Sequence, residues 1–398
     1  MPVFPQELLD AIVGKLDENP ALKSCSLAAS SLRVPCQRIL LRSLTLSPGW
    51  AQWAPGGSIK DCVAAATLLA ESPHISRYIT RLTIELHETQ IVDVDDKALL
   101  KVLSNLDNVH QCIVTRTEDV LEWDELSPGI SSALVYFLFR QPLRELHVHF
   151  ISAIPEITFL QLVAAAPLVS FLFVIIETSD HSSESLLLPP TVENLIFESD
   201  SEDACTVLAR SQWAACIAAV RRLSIPPHYP AAENLIQATS RTLQHLRLRC
   251  TEPLETPTLS LPCLPALCSI ELAVFWDDPA ILWFLTVLSP LLAPGSSPAL
   301  AELTITLFPI GRLRYKVLYA LTAGLLTALD DALAAHPAAP RMRWRLDLSG
   351  DHSEAHFADF SQKMQRGMPV AHRAGRLEFE AYDEKSEYAD GLSYAIQR

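Results

Sequence analysis

VRRLSIPPHYPAAENLIQATSRTLQHLRL, residues 220–248, holds the pattern that decides the fold. It opens with apolar residues at its first, fourth and sixth positions, Val220, Leu223 and Ile225. A Pro-rich turn follows, then a helical pattern over Glu233 to Thr239, and then the same spacing again at Leu243, Leu246 and Leu248. An extended strand with alternating inward side chains, a turn, a helix and a parallel return form a unit that leaves its apolar strand face bare. Only a neighbouring unit of the same kind covers that face.

Working outward, the pattern recurs along the whole chain. Earlier copies are LRSLTL at 41, ITRLTI at 79, VHQCIV at 109, LRELHV at 143, LVSFLF at 168 and VENLIF at 192. Later ones are LCSIEL at 267, LAELTI at 300, RWRLDL at 343 and AGRLEF at 374. Their fourth positions are 44, 82, 112, 146, 171, 195, 223, 246, 270, 303, 346 and 377. Helical patterns fill the gaps at Ile59 to Ala70, Lys97 to Leu106, Ser131 to Phe139, Glu156 to Ala166, Ala204 to Ala219, Ile281 to Leu292 and Val317 to Ala335. Pro often precedes the next strand, as in QPLREL and SPALAE, and pushes the residue before it to extended geometry. The expected class is α/β: an irregular leucine-rich-repeat solenoid over 48–398 with a curved parallel sheet, preceded by a small helical unit over 1–47.

Composition agrees. Of 398 residues, 63 are Leu, 49% are hydrophobic and 19% charged, which excludes disorder for most of the chain. The net charge of −15 argues against a general nucleic-acid binder, because phosphate neutralisation needs clustered Lys and Arg. The basic run GRLRYK at 311–316 reads as a solvated helix start. The nine cysteines are scattered and form no C-x-x-C pair, the pattern of reduced thiols used as small hydrophobes. The longest apolar runs, Ile281 to Ala293 and Val317 to Leu329, are too short to span a bilayer. The N-terminus lacks the order of a signal peptide. The expectation is a cytoplasmic or nuclear protein with no membrane or nucleic-acid contact.

Residues 4–46 have a logic of their own. Pro5 starts a helix that carries Leu8, Leu9, Ile12, Val13 and Leu16 at helical spacing. Asn19-Pro20 begins a second, with Asn19 expected at the N-cap and Pro35 expected as its end. So few helices bury little surface alone and must lean on a partner or on the rest of the chain. The segment FPQELLDAIVGKLDENPALKSCSLAASSLRVPCQRILLRSLTL, with repeats after it, resembles the F-box proteins with leucine-rich repeats, the fungal members above all. The matching positions are Phe4, Pro5, Glu7, Leu8, Leu9, Ile12 and Leu16, then Cys25, Ser26 and Leu27. Two features depart from the family. Ser31-Leu32 stands where Ser-Trp is usual, and no asparagine follows the strands to form a ladder.

The resemblance implies a substrate-recognition subunit of an SCF-type cullin–RING ubiquitin ligase. Pro5, Leu8, Leu9, Ile12, Leu16, Leu22 and Leu27 would touch the adaptor subunit, and the solenoid would hold an unidentified target protein. Outside that complex it would be a monomer without a cofactor or bond chemistry of its own. The alternative is a solenoid scaffold whose degenerate F-box only caps the stack.

For the target face, residues flanking the inward positions are expected to point out: His147, His149, Leu172, Val174, Ile196, Arg222, His245, Arg247 and Arg249. An apolar strip beside a basic patch would suit an acidic or phosphorylated segment. His147 and His149 share a strand face, but no third ligand completes a metal site. No phosphate-binding glycine loop, G-x-S-x-G or H-E-x-x-H motif occurs, so catalysis is not expected.

Overall fold

The computed structural model describes residues 5–16, 18–47, 61–86, 93–116, 120–177, 192–250, 259–275, 287–293, 295–308, 321–347 and 354–382. Residues 48–60, the run 311–316, Phe4 and the first parts of the helical patterns 281–292 and 317–335 lie outside these residues. The chain forms two compact units, Met1–Val192 and Glu193–Arg398.

Among the described residues, to which both strand counts refer, the first unit holds six strands: β1 (Ser43–Leu46), β2 (Arg81–Glu85), β3 (Gln111–Thr115), β4 (Leu121–Glu122), β5 (Glu145–Pro155) and β6 (Leu168–Glu177). Their order is β1-β2-β3-β5-β6, all parallel, with the short β4 pairing only with β5. The second unit holds seven: β7 (Asn194–Phe197), β8 (Arg222–Ile225), β9 (His245–Cys250), β10 (Ser269–Phe275), β11 (Glu302–Phe308), β12 (Arg341–Asp347) and β13 (Leu377–Tyr382). These follow one another in chain order, again parallel. Parallel strands in sequence order with crossovers between them are the expected repeat stack.

The fourth and sixth positions line up in rows. In the first unit Leu44, Leu82, Cys112, Leu146 and Val169 stand in register, as do Leu46, Ile84, Val114, Val148 and Phe171. In the second, one row runs Leu195, Leu223, Leu246, Ile270, Leu303, Met342 and Leu377. Nearly all are buried, each contributing about 1.5–3 kcal/mol from lost contact with water. Two copies were misaligned by the sequence. Val169, not Phe171, is the fourth position at β6, and Met342, not Leu346, at β12. The slips are of two and four residues, so the inward parity survives; an odd slip would have turned the strand over.

Without an asparagine ladder, the backbone supplies the link between copies. The carbonyl at the second position accepts two successive N–H groups of the next copy. Arg42 O takes Thr80 and Arg81, Thr80 O takes His110 and Gln111, and His110 O takes Arg144 and Glu145. The second unit repeats it: Glu193 O takes Arg221 and Arg222, Arg221 O takes Gln244 and His245, Gln244 O takes Cys268 and Ser269, and Cys268 O takes Ala301 and Glu302. Side chains supply the rest case by case. Gln141 accepts from Val109 N and donates to Leu106 O, while Arg140 donates to the carbonyls of Leu103 and Leu106.

Between the strands lie α4 (Cys62–Glu71), α5 (Asp93–Asn105), α6 (Pro128–Arg140), α7 (Glu156–Ala164), α8 (Glu202–Leu208) and α9 (Ala232–Thr239). Further helices are Ala323–Ala335, Glu354–Gly367 and Pro369–Arg373. Asp61, Ser127 and Thr322 cap α4, α6 and Ala323–Ala335 through side-chain oxygens. The pattern over Ala204 to Ala219 gives the short α8 and a 3-10 turn at Ser211–Trp213 rather than one helix. Glu354–Gly367 lies outside the helical patterns named above, although Phe357, Phe360 and Met364 recur in it at helical spacing. Eight of the nine cysteines, all but Cys250, are unbridged thiols.

The N-terminal helices are α1 (Gln6–Val13), α2 (Asn19–Ala28) and α3 (Ser30–Leu40). The N-cap of α2 is Glu18, with Asn19 and Pro20 in its first turn. The break falls at Ala29, in extended geometry, and Pro35 lies inside α3 rather than ending a helix. Pro35 has no N–H for the carbonyl four residues back, Ser31 O, and Gln6 Nε2 reaches that oxygen at 3.5 Å.

Leu246 is the sharpest test of this register, because it is buried between Leu223 and Ile270. Leu246→Asp is expected to remove more than about 4 kcal/mol or abolish cooperative unfolding, whereas exposed Arg222→Glu should stay within about 0.5 kcal/mol. Denaturant titration followed by far-ultraviolet circular dichroism reads both, and an unshifted midpoint for Leu246→Asp refutes the register.

Candidate functional site

Two surfaces carry the residues singled out from the sequence. On the N-terminal helices the apolar stripe is divided. Val13 packs with Leu22 and Cys36 in a small core, flanked by half-buried Leu16, Cys25, Leu32 and Leu40. Leu8 and Ile12, one turn apart on α1, are 51% and 57% exposed, and Leu27 on α2 is 87% exposed. Val34 and Ile39 on α3 are exposed as well. Of the residues expected to touch an adaptor, Pro5, Leu8, Ile12 and Leu27 are therefore at the surface, and Leu9 and Leu16 are partly so. Leu22 is 1% exposed and faces the helices' own core. Leu32, in the place of the family's Trp, packs against that same core. The ion pair Arg38–Asp10 at 3.6 Å and the Gln6–Asp10 hydrogen bond tie α1 to α3 and within itself.

The outward face of the strands differs between the units. In the first it is covered at β5 and β6, while Ser43 and Arg81 on β1 and β2 are exposed. His147, His149, Leu172 and Val174 are all buried, which corrects the expectation that they face solvent. His147 stands between Ile113 and Ser170, and His149 beside Leu172. The two imidazoles meet edge to face with centroids 5.9 Å apart. Both ring nitrogens of His147, Nε2 of His149 and Oγ of Ser170 find no hydrogen-bond partner among the described residues. The nearest carboxylate oxygen, on Glu145, lies 3.8 Å from His147 Nε2. Val174 escapes the alternation because Phe173 adopts φ 53, a left-handed turn that resets the period of two.

In the second unit the outward face is a grid of charge. One row is Asn194, Arg222, His245, Ser269, Glu302 and Arg341. The next is Ile196, Ser224, Arg247, Glu271, Thr304, Arg343 and Glu378. The expected basic patch is thus largely neutralised. Arg247 lies 3.5 Å from Glu271, and Arg249 lies 3.6 Å from Glu198 with both side chains mostly covered. Arg343 bonds Glu378 at 3.0 Å and meets Glu302 at 3.1 Å; Arg345 bonds Glu380 at 2.9 Å. Arg222 stays open near one end of this face, beside half-buried Ile196 and His245, and Arg341 is exposed toward the other, 3.8 Å from Glu378. Ser269 and His245 share a 2.6 Å contact between Oγ and Nδ1, and Arg222 and burial both hold the His245 imidazole below its ordinary value. The glutamates were visible in the sequence at the equivalent positions of later copies, and aligning those copies would have shown the pairing.

Among the described residues no group of three or more His, Cys, Asp or Glu is placed to hold a metal ion, and no helix is long and apolar enough to cross a membrane.

No protein-family model matches the chain, and no curated protein matches it. Among solved structures, a crystal structure of the yeast Rad7 and Elc1 complex is similar at 13% identity with a TM-score of 0.34, covering 90% of this chain and 85% of that one.

His149 makes stability depend on pH. Burial, and then the neighbouring His147, push its pKa down to about 3, so the folded chain keeps it neutral where the unfolded chain takes up a proton. Its contribution is complete above about pH 6.5 and falls as the pH drops, by about 2 kcal/mol at pH 5. Denaturant midpoints at pH 7.5 and 5.0 measure the loss, and His149→Phe should reduce the difference by about that amount. An equal pH dependence in wild type and variant would show that His149 does not carry it.

Proposed function

We propose that this protein is a substrate-recognition subunit of an SCF-type ubiquitin ligase, docking on the adaptor through its N-terminal helices and on a target through its repeats. The observation that carries the reading is the exposure of Leu8, Ile12 and Leu27 around a core of only a few side chains. A unit that small does not leave large aliphatic groups in water without cost, and a partner's apolar groove recovers it. Residues 1–47 form the docking unit in this reading and 48–398 the repeat domain. The protein performs no bond chemistry, uses no cofactor and works in the cytoplasm or nucleus, raising the local concentration of a bound target near the transferring enzyme.

On the target side the reading narrows to the open edge of the charged grid. Ile196, Arg222 and His245 take an acidic or phosphorylated side chain beside an apolar one. Arg247 and Arg249 hold glutamates, so they shape the surface rather than supply free charge.

The second reading, a scaffold whose F-box remnant caps the repeats, is favoured by Leu32, which packs inward and offers no aromatic contact. Co-purification of the full-length chain with an SCF adaptor separates the two. Retention of the adaptor by wild type and its loss in Leu8→Glu/Ile12→Glu, with an unchanged melting midpoint, supports the first. Failure of the folded wild-type chain to retain adaptor gives the second.

The arginines divide in the same way. Arg222→Glu should leave the melting temperature unchanged and lower target recovery from cell extract. Arg249→Glu should lower stability by about 3 kcal/mol, because it sets a second carboxylate against the covered Glu198. Thermal unfolding distinguishes them; equal midpoints would mean that Arg249–Glu198 carries no structural role.

A further inference from the structure

A third surface lies on the helical side of the first unit. A groove of about 530 Å³ opens there between α6, α7 and the 3-10 turn Trp123–Glu125. Trp123, buried, borders it at the turn; Val135, Tyr136 and Phe139 come from α6, and Thr158 and Gln161 from α7. Its volume falls in the range of clefts that hold small ligands or peptide side chains.

The exposure of this wall is unusual for a chain with few aromatics. Tyr136 is 68% exposed and Phe139 47%, with Ile157 and Val120 exposed nearby in sequence. These side chains are not needed to cover the sheet: Ile130, Leu134, Phe137 and Leu138 of α6 are the buried set. Helical spacing puts Tyr136 and Phe139 one turn apart, so both stand on the outward side of α6.

The carboxylates next to the groove in sequence flank Trp123. No charged residue lines it. Glu122 and Asp124, on either side of Trp123, are both exposed. The basic groups close in sequence are engaged elsewhere, Arg116 with Glu125 and Arg140 with the carbonyls that end α5. Glu122 also caps the 3-10 turn by accepting from Glu125 N, and a neutral aromatic wall beside exposed carboxylates that face no basic partner among the described residues attracts a cation twice, through the ring faces and through the acids.

We propose that this groove receives a short peptide segment of a partner protein, carrying an aliphatic or aromatic anchor next to Arg or Lys. The anchor fills the space between Tyr136, Phe139 and Trp123, and the basic side chain lies toward Glu122 and Asp124. The surface is separate from the adaptor-docking helices and from the charged grid, so it holds whether or not either of those readings does.

The test uses the full-length protein and two fluorescein-labelled decapeptides read by fluorescence anisotropy. One is Gly-Ser-Leu-Phe-Arg-Lys-Leu-Ser-Gly-Ser, and the other has Glu in place of Arg and Lys. The basic peptide is expected to bind at least about tenfold more tightly than the acidic one, and Tyr136→Ser/Phe139→Ser to weaken it about tenfold. Asp124→Lys, at an exposed position, should weaken it about threefold and steepen no other interaction. Circular dichroism melting confirms that each variant is folded. Equal binding of the basic peptide by wild type and both variants would mean non-specific attraction to an acidic protein and overturns the proposal. Absence of binding overturns it too. A concentration-dependent dimer abolished by Tyr136→Ser/Phe139→Ser assigns the groove to a second copy of the chain, which also overturns it.

Discussion

Everything in these two units depends on a carbonyl shared by two successive amides. At the second position of seven copies one oxygen accepts both N–H groups at the start of the next strand, and where Pro167 or Pro340 precedes the strand it accepts the one that remains, from Leu168 or Arg341; this fixes where the next strand begins. Once the start is fixed, the fourth and sixth positions fall into rows automatically, because a parallel ladder keeps register residue by residue. The link uses main-chain atoms only, so it places no demand on sequence. Gaps between copies can then vary, and the crossover can be a regular helix, a 3-10 turn or an irregular stretch, without disturbing the sheet. This is how leucine-rich stacking persists here with no asparagine ladder.

The same register produces two different outer faces. Where in-register neighbours are His147 and Ser170, beside half-buried Ile113, the face is buried and holds polar atoms with no partner among the described residues. Where they are Arg247, Glu271, Thr304 and Arg343, the face is a lattice of opposite charges. Pairs at the rim contribute little to stability because water screens them. Arg249 and Glu198 are mostly covered, and there the loss of one partner leaves a charge in a poorly hydrated place.

The repeated strand was legible from its apolar spacing, and ten of the twelve fourth positions carry over to the observed register or its neighbours' rows without a shift. The two shifted copies, at Val169 and Met342, have apolar residues at several alternate positions, so spacing alone offers equivalent alignments. Outer-face burial was less legible, since alternation tells which side a residue takes and not what lies over that side. His147 and His149 show this limit. Pro35 shows another: a proline inside a helix reads as a stop unless a distant donor such as Gln6 compensates for the lost bond. Leu22 and Leu8 looked equivalent on apolar spacing, and only the packing of three helices separates the inward one from the outward one.

Phe150 and Phe173 stand opposite each other on β5 and β6, both at positive φ, with rings stacked 4.9 Å apart. A left-handed residue costs about 1–2 kcal/mol and ring stacking returns about 0.5–1.5 kcal/mol, so the pair alone does not sustain the bend. Pairing resumes beyond it, at Ile151 with Val174 and Ile154 with Ile176, and β4 joins on that far side. The two strands are therefore cranked, and the far arm of β5 runs directly into α7. Thr158 and Gln161 stand on α7, and Ala153, also at positive φ, adds a register shift between Ile151 and Ile154, so the bend at the phenylalanines and this second one together set the direction in which β5 delivers that wall of the helical cleft.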